Sequence, residues 1–95
     1  MEIIARIVEQ QPLRTEEYKD RQGQKQSLTK MGFKLATGGH NYYAEVVGEA
    51  ATRIPTLDRS VYYLVSLTLR RSDWVGQDGR TRYSNELRIN SIHPL

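Results

Sequence analysis

The chain contains no cysteine among its 95 residues, and it has only two histidines, His40 and His93. The lack of cysteine excludes a disulfide framework and a thiolate metal site, which suits a reducing cytoplasm. The two histidines are far apart in sequence, and neither has a carboxylate at metal-ligand spacing. The sequence therefore predicts no bound metal and no cofactor.

Long apolar runs are also missing, because no stretch approaches the ~20 residues that cross a bilayer. The first residues, Met1-Glu2-Ile3-Ile4, lack the basic segment and the apolar stretch of a secretion signal. We therefore expect a soluble cytoplasmic protein with no membrane partner. The sequence has no Ser-His-Asp or Cys-His arrangement and no phosphate-binding glycine motif, so it predicts neither an enzyme nor a small-molecule substrate.

A strong excess of one charge is absent too. Fourteen lysines and arginines stand against eleven aspartates and glutamates, which gives a formal charge of +3. This mild excess permits binding to a polyanion without requiring it. Ten of the fourteen cations are arginine, whose planar guanidinium stacks on rings and pairs with phosphate better than the lysine ammonium does.

What the sequence does contain is a repeated alternation of apolar and polar residues, which is typical of half-buried β-strands. Five segments carry this pattern: 2–9, 27–36, 42–47, 61–70 and the stretch around Leu87 and Ile89. The polar segment 14–26 is expected to be a solvated loop, and the glycines of the segment 38–41 indicate a turn. Residues 49–54 favour one or two helical turns, which Pro55 ends.

The order of these elements predicts an all-β protein with a single domain, residues 1–95. Five strands with a short helix between the third and the fourth follow the plan of the oligonucleotide-binding (OB) barrel. A small sandwich or an SH3-like barrel is the alternative fold. The helical break and the long hairpin between the fourth and fifth strands favour the OB barrel.

That long hairpin is the most distinctive stretch of the chain. An Asp78-Gly79 pair supplies the positive φ that a tight loop needs, and the only tryptophan, Trp74, precedes it. Arginines flank the loop on both sides, at positions 70, 71, 80 and 82. An aromatic ring on a basic finger suits stacking on an unpaired base while the cations bind phosphates. The alternative is that Trp74 is a packing residue, since large rings are usually mostly buried.

The stretch from Trp74 to Leu87 resembles the last hairpin of bacterial single-stranded DNA-binding proteins, in which a tryptophan, an Asp-Gly loop, a basic residue and a tyrosine recur in this order. Residues 43–51 resemble the third strand of that family, with an aliphatic pair and a glycine before a small helix. The family has a long acidic-tipped tail, whereas this sequence stops at Leu95. This departure makes it more similar to the primosomal replication protein of the same superfamily, or to a homologue carried on a mobile element.

The resemblance implies that Trp74 stacks on bases and that the flanking arginines follow the phosphates. Strand parity places the adjacent Arg70 and Arg71 on opposite faces, with Arg70 on the same outer face as Tyr62. The tyrosines could equally pack on a neighbouring subunit or lie on the sheet, and the lysines could be plain solvated charges. The candidate nucleic-acid-binding residues are Lys30, Lys34, Tyr42, Tyr62, Arg70, Arg71, Trp74, Arg80 and Arg82.

The predicted function is sequence-tolerant binding of single-stranded DNA, in replication, recombination or the transfer of mobile-element DNA. The alternative is an OB-fold interaction or assembly subunit without nucleic-acid affinity, in which Trp74 and the tyrosines lie in a protein interface. RNA is the alternative ligand. We also expect a homodimer or homotetramer, because the resembled family forms them and because an unpaired barrel edge must be covered.

Overall fold

The computed structural model describes the backbone of residues 1–95 and every side chain except that of Ser72. The elements, in chain order, are β1 Glu2–Gln10, β2 Arg14–Lys19, β3 Lys25–Thr37, β4 His40–Val47, a 3-10 helix Glu49–Arg53, β5 Tyr62–Val75 and β6 Thr81–Pro94. The described part of the chain contains no helix with the length and apolar character needed to cross a membrane.

Five of the six strands close into a barrel. Hydrogen bonds join them in the order β1–β5–β6–β4–β3, and β1 closes the ring by pairing with β3. Neighbouring strands are antiparallel except β4 and β6, which run parallel and pair at Glu45 and Arg88. The short 3-10 helix lies between β4 and β5, and the long hairpin joins β5 to β6. The predicted all-β, OB-like barrel is therefore confirmed.

Alternate side chains of the barrel strands point inward and form the hydrophobic core. Phe33, Leu35 and Val65 are its largest fully buried side chains, and burial of each stabilises the fold by about 1.5–3 kcal/mol. The half-buried strands predicted at 2–9 and 27–36 are confirmed, because Ala5 and Ile7 are buried beside Phe33 and Leu35.

The segment 14–26 corrects one expectation, since it is a hairpin arm rather than a solvated loop. Arg14–Lys19 forms β2 and pairs along its whole length with Lys25–Lys30 of β3. The Asp20 carboxylate stabilises the turn by accepting two backbone N–H groups at 2.9 Å. Almost every residue of β2 is exposed, so this strand has no apolar face that could have marked it in the sequence.

Two glycine turns set the register of the hairpins. Gly38 and Gly39 both have positive φ, 58° and 80°, which is the conformation of a two-residue hairpin loop. The predicted turn is therefore confirmed, although β4 begins at His40, two residues earlier than expected. Gly79 likewise has a φ of 78° in the loop between β5 and β6.

Beyond the barrel, β5 and β6 continue as a two-stranded ribbon, residues 69–75 and 81–87. The register is continuous to the pair of Val75 and Thr81, so even-numbered residues of both strands share one face and odd-numbered residues share the other. Leu67 is buried whereas Leu69 is 61% exposed. About seven residues per strand, or roughly 20 Å, therefore extend past the core.

Candidate nucleic-acid interface

The even face of the ribbon holds the predicted stacking residue. Trp74 lies directly opposite Arg82 in the register, and 48% of its surface is exposed. Arg70 lies on the same face, four residues earlier, opposite Glu86. The indole is therefore accessible beside guanidinium groups, and the alternative that Trp74 is a core residue is wrong.

Two of the ribbon arginines have acidic partners. Arg82 Nη2 donates to Asp78 Oδ2 at 3.1 Å, and Arg71 donates to both oxygens of Asp73, at 2.9 and 3.2 Å. The Arg71 guanidinium also lies over the ring of Tyr83, with 4.7 Å between its central carbon and the ring centre. Both ion pairs are at the surface, where solvent screens them.

The other two ribbon arginines differ in this respect. Among the described side chains, Arg70 and Arg80 form no ion pair with an acidic residue. Arg70 is on the even face with Trp74, while Arg71 is on the odd face, so the predicted separation of this adjacent pair is confirmed. The even face therefore carries the larger share of unneutralised positive charge.

A groove of about 690 Å³ lies between the base of the ribbon and β4. Leu69 and Leu87 line it from the ribbon, and Tyr42 and Tyr43 line it from β4. Tyr42 lies opposite the buried Leu35 in the register, but its position near the end of the barrel leaves it exposed. The structure thus brings one predicted tyrosine close to the ribbon.

Tyr43, which sequence reasoning misses, is the tyrosine on the outer face of β4. Its ring lies across Gly32, so that a Cβ built at Gly32 would overlap the Tyr43 hydroxyl. The hydroxyl lies 3.1 Å from Gln11 Oε1 and 3.3 Å from Glu45 Oε2, and either oxygen can accept its proton. A signal was present, because a glycine inside an alternating strand often marks the close approach of another group.

A cluster of two cations and two carboxylates, which we call the β2 cluster, joins β2 to the barrel. Arg14 forms an ion pair with Glu45, whose side chain is 10% exposed, and another at 3.2 Å with Glu16. Lys30 Nζ lies 2.9 Å from Glu16 Oε2. The hydrogen bond to Glu45 raises the pKa of Arg14, and those from Lys30 and then Arg14 lower the pKa of Glu16.

The two positive and two negative charges of the β2 cluster balance, which argues against Lys30 as a nucleic-acid-binding residue. Lys30 has only 14% of its side chain exposed and is engaged by Glu16. This ion pair joins β3 to β2, so the Lys30 ammonium is not free to bind a ligand. Lys34, the next candidate on the outer face of β3, is exposed and lies opposite Tyr43.

Tyr62 lies away from the other candidates. It shares the even parity of Arg70, as predicted, and it is exposed. Eight residues of β5 separate the two, which corresponds to roughly 26 Å. The Arg6 guanidinium lies over the Tyr62 ring at 5.8 Å. The structure therefore groups the ribbon residues with the groove tyrosines and leaves Tyr62 at the opposite end of β5.

No protein-family model matches the chain, and no curated protein is significantly similar to it. The likeness to single-stranded DNA-binding proteins therefore stays a prediction. Among the described residues, no group of three or more His, Cys, Asp or Glu side chains could hold a metal ion. Function is accordingly argued from the geometry of this chain, because a barrel fold alone does not imply an activity.

Proposed function

We propose that this chain binds single-stranded DNA, with little preference for sequence, along the even face of the ribbon and the groove at its base. The observation that carries the proposal is the Trp74 indole, which is 48% exposed on a projecting ribbon. A ring in this position contributes little to the core, whereas it can stack on a base. Every base has a π face, so such stacking tolerates any sequence.

The ribbon arginines would supply the phosphate contacts. Arg70 and Arg80 have no acidic partner among the described side chains. Arg71 and Arg82 are held only in exposed ion pairs, which typically contribute about 0–1 kcal/mol. A phosphate can replace the carboxylate of Asp78 at little cost, whereas Arg71 lies on the odd face. Arg70, Arg80 and Arg82 are therefore the guanidiniums available to a polyanion on the even face.

The groove would take the bases that follow. Tyr42 and Tyr43 offer exposed rings on one wall, and the hydrogen bonds of the Tyr43 hydroxyl fix its ring before any ligand arrives. The charged groups of the groove include Arg14, Glu45 and Glu86, which give no positive excess. The groove therefore suits bases, and the phosphates would follow the arginines of the ribbon.

The test is a fluorescence-anisotropy titration of labelled oligo(dT) with the wild-type protein and Trp74→Ala. Loss of one stacked ring removes about 1–3 kcal/mol, so the dissociation constant should rise about 5- to 150-fold. Val75→Ala is the matched control, because Val75 is the adjacent residue, is also exposed, and lies on the odd face. It should bind like the wild type, and both variants should keep the wild-type melting temperature. Unchanged affinity of Trp74→Ala would contradict the proposal.

Salt dependence tests the electrostatic half of the proposal. If Arg70, Arg80 and Arg82 each neutralise a phosphate, the slope of log K against log salt should be about −2.1 for a single strand. A slope near zero would show that the guanidiniums do not contact the ligand. A parallel titration with poly(U) distinguishes DNA from RNA, which can differ through contacts to the 2′-hydroxyl.

A second candidate function, an interaction or assembly subunit, is favoured by the odd face of the ribbon. Leu69, Val75 and Tyr83 are exposed there, and Arg71 and Asp73 neutralise each other. A neutral, partly apolar face suits a protein better than it suits phosphates. Absence of any anisotropy change with both oligo(dT) and poly(U) at low salt would make this the better proposal.

A further inference from the structure

A second cavity, of about 320 Å³, lies on the outside of the barrel at the point where the ribbon begins. We call it the Arg88 cavity. Its polar lining comes from β5 and β6 and consists of Thr68, Arg70, Arg88 and Asn90. Thr68 lies directly opposite Arg88 in the register, so both side chains point to the even face that carries Arg70. The lining includes two guanidiniums and no carboxylate, so the cavity is positively charged.

Arg88 has a donor that lacks an acceptor. Its Nε is buried, and none of the described residues accepts a hydrogen bond from it. Its Nη2 reaches Glu86 Oε2 only at 3.4 Å, whereas a good bond between two charged groups is about 2.7–2.9 Å long. A buried donor without an acceptor is costly and uncommon in proteins. Arg88 would therefore gain from an acceptor that a ligand supplies.

The carboxylates near Arg88 do not neutralise the cavity. Glu45 pairs with Arg88 across the two strands, but its carboxylate forms an ion pair with Arg14. Glu86 lines the groove toward β4 and not the Arg88 cavity. Arg70 forms no ion pair among the described side chains. The positive charge of the cavity is thus left for a ligand to balance.

A β-bulge places a neutral donor beside the arginines. The register of β5 and β6 shifts between Ser66 and Leu67, which makes Asn90 the extra residue of β6. Bulges often redirect a side chain next to a binding site. Asn90 Nδ2 donates to Thr68 Oγ1 at 2.8 Å, so the proton of the Thr68 hydroxyl remains to be donated to a ligand.

We propose that the Arg88 cavity binds one phosphate group, which Arg70 and Arg88 share and to which the Thr68 hydroxyl donates. The planar fork of a guanidinium matches the spacing of phosphate oxygens. A rotation of the Arg88 side chain into the cavity would give its Nε and Nη2 groups the acceptors that they lack. Sequence reasoning did not single out Arg88, because it lies inside a strand and away from the basic loop.

This proposal rests on the proposed DNA binding, because the phosphate would belong to a strand that stacks on Trp74 and continues toward the barrel. Thr68 and Trp74 are six residues apart on β5, or roughly 20 Å. A strand that covers both positions is compatible with the site size of about 4–16 nucleotides of a single OB barrel. The Arg88 cavity would therefore fix the path of the strand beyond the ribbon.

The test is an anisotropy titration of labelled oligo(dT) with Arg88→Met, which keeps an apolar stem and removes the guanidinium. Its affinity should fall about 10- to 150-fold, the effect of losing a hydrogen bond to a charged group. Its melting temperature should not fall, because the buried unpaired donor is removed as well. Arg59→Met is the matched control, since Arg59 is exposed and precedes β5 at the end remote from the ribbon. It should bind like the wild type.

Two further variants test how the phosphate is held. Each neutralised phosphate contributes about −0.7 to the salt slope. Arg88→Met should keep the wild-type slope of about −2.1, because Arg70 still neutralises the shared phosphate, and the variant that combines Arg70→Met with Arg88→Met should show about −1.4. Arg88→Lys keeps the charge without the fork, so its affinity should lie between those of the wild type and Arg88→Met.

Inorganic phosphate, compared with chloride at equal ionic strength, distinguishes the two sources of the phosphate group. Stronger displacement of oligo(dT) from the wild type than from Arg88→Met would show that the cavity also takes the free ion. Equal displacement, with Arg88→Met still weakened, would assign the cavity to the phosphate of the strand alone. Both results support the site.

Two results would overturn the proposal, and they differ in what they leave standing. If Arg88→Met and Arg88→Lys bind oligo(dT) like Arg59→Met while Trp74→Ala binds more weakly, the phosphate site is wrong and the proposed function stands. If the wild type itself does not bind oligo(dT) at low salt, the proposed function and the phosphate site are both wrong.

Discussion

Replacing Gly32 with alanine should destabilise the protein, and the same replacement should stabilise a variant that lacks the Tyr43 ring. Gly32 is buried within β3 and does not have a positive φ, so its backbone can accept alanine without strain. An added Cβ, however, would overlap the Tyr43 hydroxyl and lie 2.5 Å from Gln11 Oε1. Both side chains must therefore move when alanine is introduced.

The magnitude follows from the hydrogen bonds that this movement breaks. The Tyr43 hydroxyl lies 3.1 Å from Gln11, 3.3 Å from Glu45 and 3.5 Å from Arg14. The hydroxyl has one proton and donates it to one of the two carboxyl or amide oxygens at a time, so two bonds count, one donated and one accepted. With about 0.5–1.5 kcal/mol for each bond, and the longer one at the low end, the loss is roughly 1–2 kcal/mol. Alanine restricts the unfolded chain and returns about 0.4–1 kcal/mol. The net loss should be about 0.5–1.5 kcal/mol, or roughly 2–12 °C in melting temperature.

In the Tyr43→Ala background, the effect of Gly32→Ala on stability should have the opposite sign. The ring is then absent and the Gln11 amide, which has lost its partner, can turn away from position 32. Only the effect on the unfolded chain remains, so Gly32→Ala should stabilise this variant by about 0.4–1 kcal/mol. Urea and thermal unfolding of the four proteins give the coupling energy between positions 32 and 43, expected at about 1–2 kcal/mol. If alanine at position 32 has the same effect in both backgrounds, the ring does not lie on Gly32.

Two further predictions concern the β2 cluster and the core. Lys30 and Arg14 lower the pKa of Glu16 from its ordinary value of 4.5, so its carboxylate stabilises the fold above that value and ceases to do so as pH falls through the lowered one. Stability of Glu16→Gln should therefore decrease less on acidification than that of the wild type, and equal urea midpoints at every acidic pH would contradict this. Leu35→Ala, at a fully buried position, should lose about 2–5 kcal/mol in urea unfolding. Leu69→Ala, on the exposed ribbon, should lose no more than about 0.5 kcal/mol, and a similar loss at both sites would show that the ribbon is part of the core.

Most of the barrel could be predicted because its strands bury one face and expose the other. Phe33 and Leu35 alternate with outward lysines, and Val65 and Leu67 alternate with outward polar residues, so parity alone identifies the core. The strand β2 could not be predicted in this way. Its residues are exposed on both faces, and what holds it is pairing with β3, which leaves no periodic signal in the sequence.

The candidate site, too, could be predicted only in part from the sequence. Parity correctly separated Arg70 from Arg71, and the polar turn correctly indicated that Trp74 is exposed. The neutralisation of Lys30 could not be foreseen, because its partner Glu16 lies on β2, whose sequence has no strand pattern. Parity could also have singled out Tyr43, which shares the outward face of β4 with Glu45, had the close approach to a glycine been recognised.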